Sequence, residues 1–116
     1  MQKKSFNTPD EMRTPPLTRV DVIKIGGKTL LRNRFEPGWK WSKHVKPSAD
    51  TGSCQVHHVL YVMSGHLKVV MDNGDELEIG PEDVADIPPG HDAWVVGDEA
   101  MVGVDVGGGD SYARVG

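Results

Sequence analysis

The stretch PGWKWSKHVKPSADTGSCQVHHVLYVMSG, residues 37–65, decides how this chain is read. It holds two strand-like runs, 39–45 and 54–63, joined by a polar loop over 46–52. In the first run Trp39, Trp41, Lys43 and Val45 fall on one side of a strand. Lys40, Ser42, His44 and Lys46 fall on the other. In the second run Cys54, Val56, His58, Leu60 and Val62 form one row, apolar apart from His58. Gln55, His57, Val59 and Tyr61 form the opposite row. The parity turns His58 toward a core and His57 away from it. The tryptophan side of 39–45 calls for cover from a second sheet or a second subunit, which leaves Ser42 and His44 facing a polar pocket.

Working outward, glycine and proline punctuate short Val- and Ile-rich runs. Residues 20–25 and 29–35 flank Gly26-Gly27 as a hairpin. The run 66–71 turns at Asn73-Gly74 into 75–79, and Gly80-Pro81 leads to 84–87. Pro88-Pro89-Gly90 separates that strand from 93–96, and 101–106 completes the set. No segment keeps a helical apolar period over three turns. About nine short strands at nearly even spacing predict an all-β single domain, of jelly-roll or barrel type. We divide the chain into an N-terminal arm (1–19), a β-barrel (20–106) and a C-terminal tail (107–116). The arm, with Pro9, Pro15 and Pro16, is either loose or adds to a neighbouring subunit's sheet.

Composition excludes several function classes. The net charge is −4, with no basic block, so the Lys/Arg face that nucleic acid requires is missing. Apolar runs of a few residues are too short to span a membrane as a helix. The single cysteine, Cys54, forms no internal disulfide. The opening QKKS is not followed by the apolar run of a signal peptide, and a cytoplasmic location is expected. No phosphate loop, dinucleotide fingerprint or nucleophile elbow is present.

The residues from 35 to 106 resemble the cupin superfamily in its small single-domain branch. The first cupin motif is a glycine, two histidines one residue apart, a glutamate and, six residues on, a glycine. Gly38 opens the match, Ser42 and His44 take the histidine positions, and His58 stands for the glutamate, six residues before Gly65. The loop 45–57 is longer than usual. In the second motif Pro88-Pro89-Gly90 matches the middle, while Ala93 stands at the histidine and Gly97 at the asparagine. The resemblance implies a cupin-type jelly-roll β-barrel with a metal ion held inside.

The ligand set we expect is His44, His58 and His91, holding a divalent ion (Zn, Fe, Mn or Ni). His91 shares the parity of Ala93 but lies about 6–7 Å along the strand, so the turn at Gly90 must bend it back. The competing reading is a histidine-lined polar pocket without metal, or one that takes an anion. Cys54 reads as a small buried residue rather than a thiolate ligand, and His57 as an outward one. Trp41 and Trp94 read as packing residues, with a pocket wall as the alternative. Two functions stay open: a metal-dependent enzyme acting on a small organic molecule, and a non-catalytic small-molecule binding or sensory module. A homodimer follows from the need to cover the tryptophan face and the arm.

Overall fold

The backbone reverses at Gly26-Gly27, whose φ values of 59° and 74° suit the tight turn that matches strand twist. That turn sets β2 (Thr18–Ile25) against β3 (Lys28–Phe35) in the longest hairpin of the molecule. A computed structural model describes residues 1–49 and 51–107. The tail assigned to 107–116 therefore lies outside the described residues, apart from Gly107. The remaining strands are β1 (Glu11–Arg13), β4 (His58–Ser64), β5 (His66–Met71), β6 (Glu76–Ile79), β7 (Val84–Ile87), β8 (His91–Val96) and β9 (Met101–Asp105). Two single-turn helices, α1 (Trp41–His44) and α2 (Lys46–Ala49), fall between β3 and β4.

The strands form two antiparallel sheets, one ordered β1-β2-β3-β9-β4-β7 and the other β6-β5-β8. Their inner faces share one apolar cluster, with Val20, Leu31, Phe35, Leu60 and Val62 from the first sheet and Leu67, Val69, Ala93 and Val95 from the second. This is the all-β jelly-roll arrangement expected. The sheets face each other without hydrogen-bonding into one closed barrel. Gly65 (φ 75°) makes the β4–β5 turn possible, because a Cβ there would overlap the Ala100 carbonyl. No helix among the described residues is long and apolar enough to cross a membrane.

Two expectations change. The run 39–45 is not a strand. Only Lys40 pairs, in an isolated bridge with Trp94, and the chain then coils into α1. The Asp92 carboxylate on β8 accepts the Ser42 N–H at 3.0 Å and so anchors the first turn of the helix. Trp41 and Val45, four residues apart, then share a helical face and are both buried. A strand parity and a helical i, i+4 pair make the same demand of these two positions, so the apolar pattern alone does not separate them. Trp39 stacks on Phe35 at 3.8 Å and donates its indole N–H to Thr18 Oγ1 at 2.9 Å. Both tryptophans are thus covered within one chain and give no reason for a second subunit.

The second change concerns the arm. β1 pairs with β2 of the same chain, Met12 opposite Asp21. Farther out, Arg32 donates to the Phe6 carbonyl and to Asp21, and its guanidinium lies 5.4 Å from the Phe6 ring. The nine strands among the described residues equal the number expected because β1 is gained where 39–45 is lost.

Candidate metal centre

His58 opens β4 opposite Ile87 of β7, on the inward row that continues to Leu60 and Val62. Its Nδ1 meets Asp105 Oδ2 at 2.5 Å. Asp105, at the end of β9, is wholly buried. Its other oxygen accepts the backbone N–H groups of Val59 (3.2 Å) and Gly107 (2.8 Å). A carboxylate fixed in this way holds the imidazole proton on Nδ1 and turns the Nε2 lone pair toward the interior.

Cys54 lies outside β4, in an isolated bridge with His91. Its N–H donates to the His91 carbonyl at 2.8 Å, and its carbonyl accepts the Gly90 N–H at 2.7 Å. The chain between residues 54 and 58 is not a strand, so the side-chain steps that would separate the two residues on a regular strand do not apply. Cys54 Sγ comes to 3.6 Å from His58 Nε2. His91 is the first residue of β8. Its Nδ1 donates to the Pro88 carbonyl at 2.7 Å, which leaves Nε2 with its lone pair. The His58 and His91 rings stand edge to face, 5.2 Å apart. One donor atom from each of Cys54, His58 and His91 lies within 4.8 Å of the others, and all three residues are buried.

Burial shifts the ionisation of two of these groups. Desolvation pushes the Cys54 thiol up to about 11, and the Asp105 and Asp92 carboxylates add to the rise. Desolvation also lowers the His91 pKa, reinforced by His58 and opposed by the bond to Pro88. In the metal-free protein the cysteine is therefore a neutral thiol that can donate to His58.

His58 and His91 border a cavity of about 20 Å³, lined also by Asn33 and otherwise by aromatic and aliphatic groups that include Trp41 and Ala93. That volume exceeds the roughly 10–15 Å³ one water needs.

His44 is not brought to this cavity. It is the last residue of α1, and its Nδ1 accepts the Lys40 N–H at 3.0 Å, closing a local ring on its own helix. The helical turn that buries Trp41 and Val45 rotates His44 off the inner side. His91 reaches the site without bending back toward Ala93, because its neighbour is Cys54 across the bridge. His57, just before β4, is exposed and pairs with Asp86. Cys54 is the residue that sequence reasoning passed over. The overlong 45–57 loop was its signal, since it lets the chain set Cys54 beside His58 without a regular strand between them. Trp94 packs outward, with the Lys40 ammonium 5.2 Å from its ring.

No protein-family model matches the sequence, and no curated protein matches it. Solved structures do. One is a protein of unknown function from Rhizobium leguminosarum, at 20% identity and a TM-score of 0.65, covering 90% of this chain and 93% of that one. A second is a sugar phosphate isomerase from a cupin superfamily, from Silicibacter pomeroyi, at 21% identity and a TM-score of 0.60 over 90% and 73% of the two chains. A third is a cupin-like protein from Thermotoga maritima, at 18% identity and a TM-score of 0.54 over 84% and 72%. The chain has the cupin fold. Within the cupin fold, the motif positions given to Ser42 and His44 fall on α1, whereas the glutamate position is the buried His58.

Proposed function

We propose that this cupin-fold protein binds a divalent metal ion through Cys54, His58 and His91. The observation that carries the reading is the 3.6 Å separation of Cys54 Sγ and His58 Nε2. Tetrahedral coordination with a metal–sulfur bond of ~2.3 Å and a metal–nitrogen bond of ~2.0–2.1 Å puts the two donors about 3.6 Å apart. Both histidines have Nδ1 engaged by an oxygen acceptor, the arrangement that orients imidazole ligands. A thiolate with two imidazoles suits zinc, iron or nickel better than manganese, which prefers oxygen donors. Three protein ligands leave a position open, where a bound ion would act as a Lewis acid on water or a carbonyl group.

Cys54, His58 and Asp105 also line up as nucleophile, base and orienting acid. Burial argues against that use. With the thiol pushed up to about 11, only about one molecule in ten thousand carries the thiolate at pH 7. Metal binding, by contrast, removes the thiol proton itself.

The cavity limits what reaches the ion. About 20 Å³ admits a water-sized group, not a metabolite, and no lysine or arginine lines it. A sugar phosphate, named for the Silicibacter protein, would find no room there. This volume weighs against a large ligand at the ion, in an enzyme and in a binding module alike.

Metal analysis of protein purified without a nickel column tests the reading. Near-stoichiometric metal is expected in the wild type and in His44→Ala, with loss in His58→Ala and Cys54→Ala. Wild-type protein that neither retains nor takes up metal, or loss in His44→Ala alone, would overturn it.

A further inference from the structure

Asn33 carries the one buried side-chain nitrogen or oxygen that lacks a hydrogen-bond partner among the described residues, its Oδ1. The residue is 2% exposed and lies on β3 between Val20 of β2 and Gly103 of β9. It borders the same cavity as His58 and His91, among side chains that are otherwise aliphatic or aromatic. A buried amide oxygen with no donor carries an uncompensated desolvation cost, and such groups are rare in native interiors. An alternating inward row of Leu31, Asn33 and Phe35 would take an aliphatic side chain at its centre without altering the strand. The chain instead places an amide side chain at the wall of a cavity large enough for one water.

We propose that Asn33 is a positioning residue whose Oδ1 accepts a hydrogen bond from a water molecule or hydroxyl group in this cavity. That oxygen would occupy the position left open beside His58 and His91. An amide oxygen accepts and does not donate, so the partner of Oδ1 is a protonated oxygen, as in water. The group at the open position is therefore a water molecule or a hydroxyl of similar size. The link to the open position rests on the metal reading above, whereas the hydrogen bond to Oδ1 does not.

The test uses the full chain, zinc and crystals of the metal-free and zinc-loaded protein. An ordered oxygen within about 2.7–3.2 Å of Oδ1 is expected in both states. A dry cavity in both would overturn the proposal. Competition against a chelator then compares zinc affinity in the wild type, Asn33→Leu and Asn33→Asp. Asn33→Leu should lose about 10–100-fold, the usual effect of removing an outer partner, while Asn33→Asp keeps the acceptor and should bind at least as tightly as the wild type. Equal loss in both variants, or no loss in Asn33→Leu, would overturn the positioning role. Should Asn33→Leu fail to fold, Asn33→Ala replaces it in the same comparison. If the wild type binds no zinc, the metal reading fails, and the oxygen at Oδ1 in metal-free crystals still decides this proposal.

Discussion

His57 and His58 are consecutive residues, and each ring meets an aspartate on a neighbouring strand. The His57–Asp86 pair is 55% and 72% exposed, and the His58–Asp105 pair is 8% and 0% exposed. His58 opens β4 with its ring inside, and His57, just before the strand, keeps its ring in solvent. In water the outer pair is worth little, because solvent competes for both partners. Indoors the same pair of residue types fixes a tautomer and aims a lone pair at two further donors. Pair chemistry is therefore a poor guide to a site, and burial with convergent donors is a better one.

Removing the aspartates should separate the two pairs most widely. Asp105→Ala takes an acceptor from His58 and from the Val59 and Gly107 backbone groups. At about 1–3 kcal/mol for each of the His58 and Val59 donors left unmatched, we expect a loss of at least about 2 kcal/mol in urea unfolding of metal-free protein. Asp86→Ala should lose less than about 1 kcal/mol. Equal losses would erase the distinction.

The buried side should also show an alkaline limb. The Cys54 pKa rises from 9.0 to about 11 on folding. Between those values the unfolded chain gives up a proton that the folded chain keeps, so stability falls as pH rises. A shift of two units corresponds to about 2–3 kcal/mol, lost between pH 9 and 11. Comparing unfolding of wild type and Cys54→Ala across that range isolates the effect, and parallel curves would contradict it. His91 acts at the other end. Its pKa is lowered from 6.5, so the unfolded chain takes up a proton first and stability falls as pH drops below 6.5. A His91→Gln variant should lack this acid limb.

The fold was legible in the chain because turn residues and strand parity agree over most of its length. Gly26-Gly27, Asn73-Gly74 and Pro88-Pro89-Gly90 mark the turns, and the inward row of His58, Leu60 and Val62 follows from alternation. The candidate site was legible in part. His58 and His91 could be read from the inward rows, but Cys54 and His44 could not. Their positions depend on a helical turn held by Asp92, fifty residues downstream of Ser42, and on a bridge between residues 54 and 91. Neither contact leaves a local periodicity. Asn33 was hidden for a related reason: a polar residue in an inward row shows its missing partner only when the neighbouring strands are in place.

The smallest effect belongs to the outer histidine. His57→Ala should change stability by no more than about 0.5 kcal/mol and leave metal content untouched.

Cobalt(II) titration followed by absorption tests the central claim most directly. A sulfur-to-cobalt charge-transfer band should grow to a stoichiometric endpoint in the wild type and in His57→Ala, and should vanish in Cys54→Ala. A wild-type titration without that band, or an unchanged band in Cys54→Ala, would contradict a metal held by the thiolate beside His58.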